Sequence, residues 1–198
     1  MKVQLSEHFT YQKLLRFVFP SIVMMVFTSI YGVVDGLFVS NYVGKTAFAA
    51  VNLIMPLLMG ISALGFMVGT GGSAIVAKTL GEGRQKEANE YFSMLVYMTF
   101  AGGILFSFLG FLFVPYVASA LGAEGELLRS SVLYARICLC SLPAFMLQNV
   151  FQSFFVAAEK PKLGLYVIVT SGVTNMVLDF LFIGILGFGL PGAALATV

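Results

Sequence analysis

The sequence predicts an all-α, polytopic transmembrane helix bundle, with five complete helices and the start of a sixth. Three observations predict it. Hydrophobic residues make up 59% of the 198 and charged residues 10%, against roughly 25% charged in an ordinary soluble domain. Mean hydropathy is +0.97. Long stretches almost free of charge alternate with short polar connections. A soluble domain of this length has too little interior to hide so much apolar surface. The net charge of +2 gives no footprint for nucleic acid.

The first stretch, Phe17 to Val43, carries one charge, Asp35. Thr46 to Ala77 and Tyr91 to Gly122 carry none. Leu127 to Ala158 carries Arg129 and Arg136 near its start, and Leu163 to Ile185 carries only Asp179. Each exceeds the roughly 20 residues needed to cross a bilayer. The expected helices are 14–43, 46–79, 90–120, 127–158 and 163–185, with an incomplete sixth over 191–198 after the turn Gly187 to Gly192. The first span is too long for a secretory signal and lacks a small-residue cleavage pattern after it. With so few residues of the sixth span before Val198, a helix ending there leaves backbone groups unpaired in lipid. The whole chain, 1–198, is thus expected to be one transmembrane lobe, a fragment of a longer protein.

Positive charge sets the expected orientation. An N-terminus inside places Lys2, Lys13, Arg16, Lys78, Arg84, Lys86, Lys160 and Lys162 in the cytoplasm, against Lys45, Arg129 and Arg136 outside. That bias favours a cytoplasmic N-terminus.

The remaining polar residues narrow the chemistry. His8 is the only histidine and precedes the membrane; Cys138 and Cys140 are two apart on a helix and point different ways. No Ser-His-Asp, Cys-His or zinc constellation is available, so neither enzyme chemistry nor a cofactor is expected. Gly69 to Gly72 lacks the lysine of a phosphate-binding loop. The glycines Gly65 and Gly69, continued by Ser73 and Ala77, suit close helix packing. The run Leu80 to Glu90 mixes both signs of charge and reads as a solvated loop.

Asp35 and Asp179 stand apart. A carboxylate in mid-membrane costs at least about 2.5 kcal/mol, so each needs a proton, a cation or a partner. A neutral acid tying two helices together is the simpler reading of either one alone. Depth links them: at 1.5 Å per residue Asp35 lies about 12 Å, and Asp179 about 9 Å, below the outer surface. Asn52 and Thr197 reach a similar depth, and Asn175 shares a helix face with Asp179 at i,i+4 spacing. Such a cluster supplies hard oxygen ligands for a cation such as Na⁺, or a carboxyl that loads and releases a proton. Asn52 and Gln148 are candidates to line a cavity. Pro20, Pro56, Pro115 and Pro143 each sit inside a span and can kink it; Pro20 is the candidate hinge.

The run Val34-Asp35-Gly36-Leu37-Phe38-Val39-Ser40, followed by Ala49-Ala50-Val51-Asn52-Leu53-Ile54-Met55-Pro56, resembles the opening of multidrug and toxic compound extrusion transporters. Gly69-Thr70-Gly71-Gly72-Ser73-Ala74, Gly81-Glu82-Gly83, Asn175-Met176-Val177-Leu178-Asp179 and Gly192-Ala193-Ala194-Leu195-Ala196-Thr197 continue it in order. The resemblance implies a twelve-helix antiporter of two six-helix lobes, of which this chain supplies most of the N-terminal lobe and lacks the C-terminal one. It implies export of cationic or amphipathic drugs and metabolites across the cell membrane in exchange for H⁺ or Na⁺. In one branch of that family the positions matching Asp35, Asn175, Asp179 and Thr197 bind the coupling ion, and helix one bends at the proline matching Pro20. Another branch relies on acids of the other lobe. The alternative function is a flippase of lipid-linked oligosaccharides or polysaccharides, whose cavities tend to be cationic; the scarcity of basic residues in these spans argues against it.

Overall fold

The computed structural model describes residues 11–158 and 160–198. Lys2, His8 and Glu159 lie outside them. The chain runs α1 (Tyr11–Phe38), a π-helical turn (Val39–Val43), α2 (Lys45–Gly81), α3 (Gln85–Ala120), α4 (Gly125–Ala157), α5 (Pro161–Asp179), a second π-helical turn (Phe180–Ile185) and α6 (Gly189–Thr197). No strand occurs among the described residues. Five helical stretches are long and apolar enough to cross a membrane, with mean hydropathy from 1.5 to 2.0. The chain is a multi-pass membrane protein.

Helix ends differ from the expected ones in a consistent direction. The third helix begins at Gln85 rather than at 90, the fourth at Gly125, the fifth at Pro161 and the sixth at Gly189; the second runs on to Gly81. Falling hydropathy marks where a helix leaves the hydrocarbon, whereas helical hydrogen bonding continues into water on charged residues such as Lys86 and Glu87. Pro161 opens α5 at its first turn, where the missing N–H costs nothing. All four prolines inside spans lie within continuous helices.

The two π-helical turns have no signature in the sequence. In the first, the Gly44 N–H donates to the Val39 carbonyl at 3.1 Å; in the second, the Leu186 N–H donates to the Leu181 carbonyl at 2.8 Å. Gly44, at φ 118°, alone joins the first turn to α2, a backbone conformation that a side chain would oppose.

Packing between spans depends on small residues, because lipid tails compete for apolar contact. A Cβ on Gly65 would sit 2.8 Å from the Met146 carbonyl oxygen, and one on Gly69 2.9 Å from the Val150 Cα, so α2 and α4 touch backbone to backbone. Gly103 of α3 meets Pro143 of α4 in the same way, at 2.6 Å. Gly172 of α5 receives the Phe27 and Tyr31 rings of α1. Ser107 of α3 donates to the Leu139 carbonyl of α4 at 2.5 Å. Thus α2, α3 and α4 form one packed group, and α1 pairs with α5. The main seam between the groups is at one end, where Val39, Ile54, Val114, Leu139, Ile183, Leu190 and Ala194 form a buried core; at the other end Gly164 of α5 approaches Phe155 of α4. At the first end α6 packs on α4 and α5, and the two π-helical turns touch each other. At the other end a smaller core, Val76, Ala88, Val150 and Phe154, belongs to α2, α3 and α4 alone.

Candidate functional site

A cavity of about 800 Å³ lies between the two helix groups. Its wall follows helical spacing on each element. Helix α1 contributes Thr28, Tyr31, Gly32 and Asp35; α2 contributes Phe48, Asn52, Met55 and Met59. Helix α4 contributes Tyr134, Cys138, Ser141, Phe145 and Gln148; α5 contributes Ile168, Ser171 and Asn175; α6 contributes Thr197. Most of that wall is apolar or aromatic, with scattered hydroxyls and amides. Among the described residues Asp35 is its only charged member, and none of them is a lysine or arginine.

Asp35 and Asp179 are brought together at the end where the helix groups join. Asp35 is 8% exposed and Asp179 0%. Their carboxyl groups lie within range of a shared proton, Asp179 standing behind Asp35 rather than on the cavity wall. Two ionised carboxylates at such range repel strongly, and only a proton or a cation makes the contact favourable.

Several neighbouring oxygens have no hydrogen-bond partner. They are Asp35 Oδ1, both carboxyl oxygens of Asp179, Asn175 Oδ1 and the Tyr134 hydroxyl. A buried polar atom without a partner costs about 1–3 kcal/mol, so a group of them marks a place built to receive something. An all-oxygen donor set suits a hard cation. A proton on one carboxyl serves equally, turning an acceptor into a donor. Thr197 donates its hydroxyl to the Ala193 carbonyl at 3.0 Å and keeps its oxygen lone pairs for a ligand.

The other expected residues divide. Asn52 and Gln148 line the cavity, and the Asn52 Nδ2 donates to the Phe48 carbonyl of its own helix at 2.8 Å. Pro20 is buried within a continuous α1, about 22 Å along the helix from Asp35 at 1.5 Å per residue. Both cysteines are free; Cys138 lines the cavity rather than only filling space. Tyr31 and Tyr134 were not singled out from sequence. Tyr134 is 1% exposed, and its hydroxyl neighbours Thr197, Cys138 and Asp35. A signal for it existed: Tyr134, Cys138, Ser141, Phe145 and Gln148 recur at three- and four-residue steps along one face of α4.

The MatE family model matches residues 20–181. The chain is 26% identical over 192 residues to the multidrug export protein MepA of Staphylococcus haemolyticus (strain JCSC1435), covering 97% of this chain and 42% of that protein. A crystal structure of a MATE protein in a bent conformation superposes with a TM-score of 0.86 at 28% identity, covering 94% of this chain and 42% of that one. One in a straight conformation gives 0.85, again at 28% identity, over 92% and 40%. The chain therefore spans about two-fifths of the length of these relatives. The matched residues hold both buried acids and most of the cavity wall, and the chain belongs to the MatE family.

Proposed function

We propose that this chain is the N-terminal lobe of a cation-coupled antiporter that exports cationic or amphipathic drugs and toxic metabolites across the cell membrane. One observation carries the reading: a mostly apolar cavity of about 800 Å³ ends on a buried carboxyl pair surrounded by unpartnered oxygens. The apolar and aromatic wall takes the body of an amphipathic molecule, and Asp35 attracts its positive charge. The acid pair, with Asn175 and Thr197, takes the coupling ion, H⁺ or Na⁺.

Exchange follows from competition for that charge. An ion bound between Asp35 and Asp179 cuts the pair's charge from −2 to −1, weakens the attraction for a cationic drug and relieves the repulsion that keeps α1 from packing against α5. Release of the ion restores the negative site. The ion drives the cycle only through a difference in affinity between two arrangements of the helices. Pro20 is the natural point for α1 to bend, since its ring removes one backbone hydrogen bond. The bias of basic residues puts the N-terminus in the cytoplasm and the acid pair toward the outer face. A second lobe beyond this chain would complete the translocation path.

The absence of basic residues from the cavity wall leaves a lipid-linked diphosphate without a counter-charge there, so the flippase alternative has no support at this site. The test is export of a fluorescent cationic dye from liposomes containing the full-length protein, with proton and sodium gradients imposed separately. Export driven by either gradient and lost in Asp35→Asn names the ion; no export under both gradients overturns the reading.

A further inference from the structure

We propose that Arg136 and Arg129 on α4 form a binding site for the phosphate of an anionic phospholipid, at the end of the bundle that holds the acid pair. Arg136 is half-buried within a membrane span, where a guanidinium needs a partner or a route to the interface. Its Nε is buried and has no hydrogen-bond partner. The ion pairs among the described residues lie in the α2–α3 turn, between Lys78, Arg84, Glu82 and Glu87. The Arg136 charge is therefore not matched by any of them.

Its surroundings point outward. The guanidinium lies over the Phe111 ring of α3, 4.6 Å from the centroid. A guanidinium over a ring face makes no hydrogen bond to the ring plane's centre that would consume its terminal Nη–H groups, which keep their capacity to donate to a phosphate. Arg136 follows the first residue of α4 by eleven positions, or about 16 Å of helix. The 33 residues of α4 span about 50 Å, against a hydrocarbon core of about 30 Å, so a centred helix extends about 10 Å past each boundary. The Arg136 Cα then sits about 6 Å below the boundary, and side chains on a helix lean toward its N-terminus, here toward the nearby surface. The charged head thus reaches the phosphate level.

Two further features fit a lipid. Arg129 lies two turns nearer the surface on the same side of α4, and it is exposed. Deeper along the α3 face that carries Phe111, Phe108 and Ile104 are 63% and 50% exposed, an apolar wall for acyl chains beneath a charged rim. Phosphate above and hydrocarbon below is the polarity of a phospholipid. The site is separate from the cavity, whose lining contains neither arginine, and it does not depend on the transport reading. That reading decides only which leaflet the lipid occupies.

The experiment is native mass spectrometry of the full-length protein relipidated with phosphatidylglycerol and phosphatidylcholine, comparing wild type, Arg136→Gln, Arg136→Lys and Arg129→Gln. Wild type is expected to retain one phosphatidylglycerol more than Arg136→Gln. Arg136→Lys, with the charge but not the fork, should bind it severalfold more weakly, and Arg129→Gln likewise. Melting curves with added short-chain phosphatidylglycerol give the same comparison for any variant that yields too little protein for mass spectrometry. Equal retention in wild type and Arg136→Gln overturns the site. Displacement of the bound lipid by millimolar inorganic phosphate assigns the arginines to free phosphate and overturns the lipid.

Discussion

Asp35 of α1 and Asp179 of α5 meet at the end where the buried core joins the two helix groups of this bundle. Among the described residues neither forms an ion pair with a cationic side chain. Their proximity makes the charge state of one a condition on the other. Asp35→Asn and Asp179→Asn should each abolish dye export while leaving the protein inserted and folded. The double variant should be no worse than either single one, because groups acting as a unit are not additive. Export rates from liposomes check this, and full export in both single variants would sink the assignment.

The Tyr134 hydroxyl is buried without a partner on the cavity wall that Asp35 also lines. Tyr134→Phe keeps the ring and its packing, so the melting temperature should hold. Affinity for the coupling ion should fall by about tenfold, the value of one hydrogen bond of about 1.4 kcal/mol. The measurement is the ion concentration giving half-maximal export, and an unchanged value would remove Tyr134 from the site.

Gly103 and Gly102 are adjacent on α3 but differ in what lies in front of them. A methyl group on Gly103 would meet the Pro143 Cα at 2.6 Å, whereas one on Gly102 meets nothing within 4 Å. Gly103→Ala should destabilise the bundle by about 1–3 kcal/mol, as overpacking does. Gly102→Ala should be neutral or slightly stabilising. Thermal unfolding in one detergent compares them directly.

In the α2–α3 turn, Arg84 donates to Glu87 at 2.6 Å and to Glu82. These contacts hold the Glu82 carboxyl below the ordinary carboxylate range, with Arg84 the main cause. Any stability from a lowered carboxyl is present above its ordinary titration range and is lost as pH falls through the lowered one. Because both groups are exposed, the contribution is small. Arg84→Ala should return Glu82 to ordinary titration, seen by NMR, and leave dye export unchanged.

How much of this was readable beforehand varies with the coordinate involved. Depth in the membrane follows from counting residues, and counting put Asp35, Asp179 and Thr197 near one level with Asn175 one turn below Asp179; in the structure Asp35, Asn175 and Thr197 line one cavity. Rotation about each helix axis does not follow so simply. Asn52 shares that level, and only its amide nitrogen is engaged, with its own helix. Tyr134 belongs to another helix, and nothing in the numbering relates it to Asp35. The π-helical turns were illegible because they use the same apolar residues as the α-helices they continue. The close approaches at Gly65 and Gly69 were foreshadowed by their spacing, but their partners Met146 and Val150 were not.

Helix α3 places two opposite demands on one stretch of sequence. The apolar part of this span is 11% buried, so most of its side chains meet solvent tails that accept any oily shape. At Phe100, Ile104, Leu105, Phe108 and Leu112, mutation among apolar residues should pass almost unseen by selection. At Gly103, touching Pro143, even one carbon is excluded. Over generations such a helix should drift freely in its letters while keeping its glycine beat, so that two descendants can look unrelated along α3 and still superpose.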